Sequence, residues 1–447
     1  MAGFGFGPNE PEENNNDKNN PFGFSNFGEI FQQFSGMGLN LPGLMASLSG
    51  QASPSALSKQ MIRDISRKFL SAHGEIPVSV QDLVATKEAF DIADLWINEA
   101  TTFPNLVIPD TCALSRRDWI DSTLAGWEEI TTPLVDGMSQ AMSDVLKDSL
   151  GGQDGFPEAG IQIPGMGAMN IPQSSIAAIM STFMSSLIST QLGQTIGNLS
   201  TTVTGANDVA LPLTNPIRPQ LIPQNVTLWG KDLEIPDTEV RIYLALREIA
   251  AARLFAATPW LRQYLRDSIA HYGKGIRVDI QAISQQAEDV MNSSDIDPSN
   301  PESMSIAFNS ALSGGMFTPE ETPQQKAALE RIETVLALIE GWIDAVVTAA
   351  AGDRLPSMIK LRETQQRRRA TNSPTQQLFA TLVGLEVSPR KTREAITFWE
   401  QIAKLKDVQT RDQVWEDPVL LPTANQLLDA ESFLKSRTIP DDLSGLI

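Results

Sequence analysis

The amino-acid sequence predicts a mainly α-helical fold with few short strands. Apolar residues recur at three- and four-residue spacing through long segments, of which residues 79–100, "SVQDLVATKEAFDIADLWINEA", are typical. Glycines such as Gly74 and Gly352 follow the last apolar position of such segments, where they favour the end of a helix. The sequence also predicts a short strand, "NVTLW" at 225–229, in an extended stretch that contains several prolines.

The chain begins with a segment of unusual composition. Residues 1–50 are rich in Gly, Phe, Asn and Pro and repeat Phe–Gly pairs, so they offer too little core to offset the entropy of ordering. We therefore predict a disordered tail there, followed by a helical domain over residues 51–447. Within this domain we expect an N-terminal subdomain at 51–150 and a core at 175–435.

The first half of the domain is predicted to be helical. Residues 53–74 predict one helix, and residues 115–152 predict one or two helices that end at a Gly-Gly pair. Residues 174–200 carry no charge, but Ser, Thr, Gln and Gly interrupt them throughout, which favours a buried core helix over a membrane span. Gly193 and Gly197 lie one turn apart and allow another helix to approach closely.

The second half continues the helical pattern. One helix contains residues Tyr243 to Leu261, and Asp237 or Thr238 is placed to cap its first turn. A helical pair interrupted around Gly273 follows, and then one long helix with an apolar stripe at 322–352. The last quarter is helical and locally basic within an acidic chain.

Composition limits the classes of partner. The chain of 447 residues has a net charge of −20, which repels phosphate backbones, so we expect no nucleic-acid partner. We also expect no membrane span. Cys112 is the single cysteine, which excludes an internal disulfide framework and suits a reducing cytoplasm. No secretory signal pattern opens the sequence, so we predict a cytoplasmic protein.

One helical segment differs by two residues from a zinc-binding motif. If Arg247 and Ala251 were both histidine, "REIAA" would match H-E-x-x-H, in which two imidazoles one turn apart bind zinc and the glutamate is the general base. Glu248 is present, but arginine is a permanent cation and alanine has no donor atom. Taken alone, the segment indicates an ordinary helical ion-pair pattern.

Four ordered blocks of the sequence give this segment a context. Together they resemble the actinobacterial zincin-like family of hydrolases and zinc-dependent metalloproteases. The blocks are residues 191–213, 239–276, 329–386 and 411–434.

The resemblance implies a zincin-like helical fold with a zinc site between two central helices. Glu248 matches the general-base position, and Arg247 and Ala251 occupy the two histidine positions. Glu340 matches the third-ligand position, and Trp342 stands where a later histidine is found in the family. Zinc is therefore the cofactor implied by the family, and we expect it to be absent from this chain.

Arg247 could replace the lost metal as a fixed positive charge. We hypothesise that its guanidinium lies beside Glu248, faces Glu340 and bridges the two carboxylates. Such an arrangement would keep a cation between the two helices.

A basic cluster in the last quarter is a candidate binding surface. It could hold an acidic or carboxylate-bearing peptide or protein ligand, or its cations could pair with the acidic surface of the chain itself. The cluster consists of Lys360, Arg362, Arg367, Arg368 and Arg369.

Three readings of function follow, and they leave open whether the chain is an enzyme. The first is a metalloprotease-like protein with a degenerate metal site, impaired peptidase activity and retained peptide binding. The second is an active metallopeptidase with an unorthodox site built from Glu248, Glu340 and His271. The third is a helical scaffold that recruits partners through the Phe–Gly tail and the basic cluster.

Overall fold

The structure is a computed structural model that describes residues 59–149, 161–163, 167–169, 173–278, 317–319, 322–383 and 390–437. It confirms a mainly α-helical fold with few short strands. The predicted disordered tail at 1–50 lies outside the described residues, and the division into an N-terminal subdomain and a core stays a prediction.

The helices of the described ranges follow one another closely along the chain. They are α1 Lys59–His73, α2 Val80–Ile97, α3 Arg116–Ser149, α4 Gln173–Ser200, α5 Pro223–Gly230, α6 Asp237–Ala257, α7 Trp260–Gly273, α8 Pro323–Ala351, α9 Met358–Asn372, α10 Pro374–Val383, α11 Arg390–Leu405, α12 Val408–Gln413 and α13 Ala430–Arg437. The described ranges also contain three short 3₁₀ turns, Gly352–Arg354, Pro418–Leu420 and Asn425–Leu428.

The described strands form two small antiparallel sheets of two strands each. Strand β1 (Ile161–Ile163) pairs with β2 (Gly167–Met169), with Gln162 opposite Ala168. Strand β3 (Ile276–Val278) pairs with β4 (Phe317–Pro319), with Arg277 opposite Thr318.

The strand predicted at 225–229 is wrong, because these residues lie in helix α5. Pro223 occupies the start of this helix, where its missing N–H costs nothing. Val226 and Trp229 are buried at a spacing of three residues, which is the period of a helix rather than a strand.

The N-cap predicted for α6 is also wrong. Pro236 occupies the cap position and makes no side-chain cap hydrogen bond, so neither Asp237 nor Thr238 caps the helix. Asp237 and Glu239 lie in the first turn, where their negative charges interact favourably with the helix dipole.

Helices α6 and α8 form the centre of the fold. Every residue of α6 from Tyr243 to Phe255 is buried, and so is every residue of α8 from Thr334 to Val347. Helix α6 packs against α2 and α8, and α8 also packs against α7 and α11. Side chains on all faces of these two helices are therefore withdrawn from water.

One described helix is long and apolar enough to cross a membrane, by length and composition. It spans Pro323–Arg354, and 78% of its apolar window is buried inside the protein. This burial is what a core helix requires. The uncharged helix α4, which we expected to be a core helix, packs against α1, α3 and α10.

The two glycines of α4 allow close packing against α1, as predicted. A Cβ added at Gly193 would lie 2.9 Å from Cβ of Ile65, and one added at Gly197 would lie 2.8 Å from Cβ of Phe69. Both distances are shorter than an ordinary van der Waals contact, so α1 and α4 approach closely because these positions have no side chain.

Substitution of Gly197 by alanine tests this contact. We expect Gly197→Ala to lower the free energy of unfolding by about 1 to 3 kcal/mol, because overpacking outweighs the higher helix propensity of alanine. The control is Gln194→Ala on the exposed face of the same helix, with an expected change within about 0.5 kcal/mol. Urea unfolding measures both, and equal stability of the two variants would contradict the close approach.

Candidate functional site

A buried ion pair joins the two central helices. Nη2 of Arg247 on α6 bonds to Oε1 of Glu340 on α8, and the two side chains are only 6% and 12% exposed. The predicted approach of Arg247 to Glu340 is therefore present in the structure. At this depth an unpaired charge would be strongly destabilising, so each group depends on the other.

A second arginine extends the pair into a network. Nε of Arg369 on α9 donates to the same Oε1 of Glu340 at 3.2 Å, and its Nη2 donates to Oδ1 of Asp208 at 2.5 Å. The other oxygen of Asp208 accepts from the backbone N–H of Thr204 at 2.8 Å. Two arginines and two carboxylates therefore alternate across α6, α8, α9 and the loop that follows α4.

The electrostatics of the network follow from this alternation. Burial by itself raises the pKa of the Glu340 carboxyl, but Arg247 and Arg369 outweigh it and hold the pKa below its usual range. The pKa of Asp208 is lowered in the same way, because burial is outweighed by Arg369 together with the hydrogen bonds from Thr204 and the charge of Arg247. Burial would lower the pKa of Arg247, yet the nearby acidic groups, of which Glu340 has the largest effect, together reverse the shift and raise it. Glu340, Asp208 and Arg247 are thus charged at neutral pH.

Glu248, the next residue of α6, faces a different part of the structure. Its Oε1 accepts from the side-chain Nδ2 of Asn207 at 2.8 Å and from the backbone N–H of Gln220 at 3.1 Å. The backbone N–H of Asn207 also donates to the carboxyl group at 3.1 Å. A Cβ added at Gly205 would lie 2.4 Å from Oε2, so the loop backbone reaches Glu248 only because residue 205 is glycine.

Of the two contacts predicted for the Arg247 guanidinium, the structure therefore has the one with Glu340 and not the one with Glu248. Successive residues of a helix point about 100° apart, so Arg247 faces α8 while Glu248 faces the loop. The hydrogen bonds of Glu248 go to Asn207 and Gln220, and Arg247 bonds to Glu340.

Glu248 has an unusual acidity. Burial raises its pKa to about 8, and the donors on Gln220 and Asn207 oppose this shift without offsetting it. A carboxyl group with a pKa near neutrality is a common feature of functional sites.

The other positions of the zinc pattern hold no imidazole. Ala251 is buried, and Nε1 of Trp342 donates to Oδ1 of Asp412 at 3.0 Å. The ring of His271 is exposed, and its Nδ1 lies 2.7 Å from the carbonyl oxygen of Asp267. The structure therefore does not bring His271 to Glu248 and Glu340, as the second functional reading requires. Among the described residues, no group of three or more His, Cys, Asp or Glu could hold a metal ion.

The basic cluster does not form one open cationic surface. Nη2 of Arg362 bonds to Oδ2 of Asp344 at 2.7 Å and also to Glu400, and Arg369 belongs to the buried network. Exposed Arg367 pairs with Glu363 one turn earlier, at 2.6 Å.

The remaining two members of the cluster contact backbone oxygens. Nζ of Lys360 bonds to the carbonyl oxygen of Leu233, and Nη2 of Arg368 donates to that of Trp229 at 2.8 Å. The cations are thus spread around α9 and contact separate partners.

Two cavities border Arg369. One, of about 270 Å³, is lined by Glu340, Asp344 and Arg393 among others. The other, of about 390 Å³, is lined by Asp208, Trp229 and Arg368 among others. Both cavities therefore border the ion-pair network at Arg369.

Sequence reasoning missed three residues of this site. Asp208 positions Arg369, and Asn207 and Gln220 position Glu248. Asn207 and Asp208 lie in the first of the four blocks, at 191–213, and Gln220 lies in none of them. The polar pair Asn207–Asp208 inside the otherwise apolar run "VTGANDVALPL" was the available signal.

The raised pKa of Glu248 predicts a pH dependence of stability. In the unfolded chain the Glu248 carboxyl has its ordinary pKa of 4.5, whereas in the folded chain its pKa is about 8. Between these values the folded state binds more protons, so the contribution of Glu248 to stability falls as pH rises. Above a pH of about 8 the Glu248 carboxyl is ionised in both states, so its contribution to stability no longer changes with pH.

Glu248→Gln should remove this dependence. We expect the stability of the wild type relative to the variant to fall by up to about 1.4 kcal/mol per pH unit from pH 5 to 7.5. Urea unfolding of both proteins across this range measures the difference. Parallel pH profiles, separated by a constant offset, would contradict the raised pKa, because such an offset reflects only the altered hydrogen bonds.

Comparisons with known proteins agree with this architecture. The sequence profile of the zincin-like metallopeptidase family matches residues 58–434. A proposed hydrolase with a novel fold from Chloroflexus aurantiacus has a similar structure, with a TM-score of 0.54 and 16% identity over 86% of this chain and 100% of that chain. At this identity the likeness shows the fold alone, and no curated protein matches significantly. Because the profile spans most of the chain, the protein belongs to the zincin-like metallopeptidase family.

Proposed function

We propose that this chain uses the zincin-like metallopeptidase fold to bind a peptide or protein ligand in the cytoplasm, with impaired zinc-dependent peptidase chemistry. The observation that carries the proposal is the buried pair of Arg247 and Glu340. In this interpretation the guanidinium takes the place of the metal between the two central helices.

The chemistry of the donor set argues against zinc at this position. Zinc sites in proteins use thiolate, imidazole and carboxylate ligands, commonly with four-coordinate geometry. Arg247 and Ala251 supply no ligand atom, and Glu340 already accepts hydrogen bonds from two guanidinium groups. The residues present do not fit the zinc ion that the family implies, so we assign no step of a reaction to it.

Arg247 can replace the structural role of a metal but not its chemistry. A guanidinium has several donors in a fixed plane and therefore neutralises a buried carboxylate while holding two helices together. It has no exchangeable ligand position, so it cannot activate a water molecule as a zinc ion does. A chain with Arg247 in place of the metal should therefore retain the fold but have impaired peptide hydrolysis.

Ligand binding is supported by the two clefts beside Arg369. Their volumes of about 270 and 390 Å³ are comparable to small-molecule sites and to pockets that hold one or two side chains of a peptide. Both are lined by charged and polar side chains that could orient a polar ligand. Binding needs only these surfaces, whereas hydrolysis would need an activated nucleophile as well.

Removal of the Arg247 cation tests its structural role. We expect Arg247→Met to lower the free energy of unfolding by about 3 kcal/mol or more, because Glu340 loses one of its two buried cations. Arg367→Met is the matched control, since Arg367 is 74% exposed and pairs only on the surface, and its cost should stay below about 1 kcal/mol. Denaturant unfolding that finds the two variants equally stable would contradict the role assigned to Arg247.

Restoration of the histidines tests the position of the lost metal. We expect the purified wild type to contain no stoichiometric zinc and to cleave no peptide in a way that depends on Glu248. The double variant Arg247→His/Ala251→His places two imidazoles one turn apart beside Glu340 and should bind zinc. Elemental analysis measures both proteins, and Arg247→His alone is the control.

Two results would overturn the proposal. One is stoichiometric zinc in the wild type, and the other is peptide cleavage by the wild type that Glu248→Gln abolishes. A folded double variant that binds zinc no better than Arg247→His would show that Arg247 does not occupy the metal position.

A further inference from the structure

Arg368 projects from the last turns of α9 over an aromatic ring. Its guanidinium carbon lies 4.5 Å from the centre of the Trp229 ring, and its Nη2 donates to the carbonyl oxygen of Trp229 at 2.8 Å. Stacking and one hydrogen bond fix the plane of the guanidinium and leave its other N–H groups available. The arginine is thus preorganised rather than freely mobile.

Arg368 has no carboxylate partner among the described residues. The acidic group with an electrostatic effect on it is Asp208, whose oxygens already bond to Arg369 and to Thr204. Burial lowers the pKa of Arg368, and Asp208 opposes that shift. Arg368 is therefore a half-buried arginine whose charge is not neutralised by a carboxylate of its own.

The cavity of about 390 Å³ gives this cation a binding space. Thr201 and Thr202 at the end of α4 line it together with Thr371, and Pro374 lines it as well. Leu228, another lining residue, is 50% exposed and offers an apolar surface beside the cation. A ligand that fits here carries a negative charge next to an apolar group.

We propose that this cavity binds the C-terminal carboxylate of a peptide whose last side chain is apolar and contacts Leu228. A planar guanidinium matches a carboxylate through two parallel hydrogen bonds. The nearby negative charge of Asp208 disfavours a doubly charged anion such as phosphate. This assignment rests on the proposed peptide-binding function and names its ligand class.

Calorimetric titration of the full chain tests the assignment. The probes are the tetrapeptide acetyl-AAAL as the free acid and as the C-terminal amide. We expect the free acid to bind at least about tenfold more tightly, because only it offers the charged bidentate partner. Arg368→Gln should abolish this preference, and Arg367→Gln, which changes the exposed neighbouring residue, should retain it.

Two further probes separate the alternative outcomes. Inorganic phosphate should compete weakly with the free acid, and competition as strong as that of the peptide would overturn the peptide assignment. Arg368→Lys keeps the charge but not the planar fork, so it should retain part of the preference if Arg368→Gln fails to fold. Thermal melting establishes which variants are folded.

A mixed-sequence peptide library distinguishes failure of this site from failure of the proposed function. If the library is retained on immobilised protein but acid and amide bind equally well, the Arg368 assignment is wrong and peptide binding elsewhere stands. If neither the library nor the tetrapeptide binds, the proposed peptide-binding function is wrong as well. A preference for the free acid that survives Arg368→Gln also contradicts the assignment.

Discussion

A carboxylate buried between two apolar helices constrains the rest of this structure. Glu340 lies on α8 where the neighbouring residues are withdrawn from water, and a lone charge there would be several kcal/mol unfavourable. Arg247 and Arg369 neutralise it from two other helices. Arg369 in turn pairs with Asp208. Neutralisation of the Glu340 carboxylate therefore also fixes the positions of α6, α9 and the loop after α4.

The order of residues on α6 divides the site into two electrostatic environments. Arg247 faces α8 and completes a network in which cations and carboxylates neutralise one another. Glu248 faces the loop and receives uncharged N–H donors, which do not offset burial, so its pKa is raised to about 8. Adjacent residues therefore have opposite electrostatic surroundings because the helix turns by about 100° between them.

Part of this site was accessible from the sequence. The helices with their 3.6-residue period, the close packing at Gly193 and Gly197, and the approach of Arg247 to Glu340 follow from spacing or from the family pattern. The role of Arg369 did not follow, because Asp208 lies 161 residues away and local patterns carry no information on such pairs. Arg369 shares its local pattern with its basic neighbours along the chain, but its side chain pairs with both Glu340 and Asp208.

Arg369 and Arg368 are neighbours in the sequence but have different surroundings in the structure. These adjacent cations have the same local pattern, yet one is neutralised within the network and the other stacks on Trp229 beside an open cavity. A metallopeptidase concentrates its available positive charge on a buried metal, where it polarises the bond to be cleaved. Here Arg247 and Arg369 are paired with carboxylates, and a half-buried arginine without its own carboxylate lies at the edge of a cleft. A charge in that position can orient an anionic ligand but cannot cleave it, which favours recognition over hydrolysis.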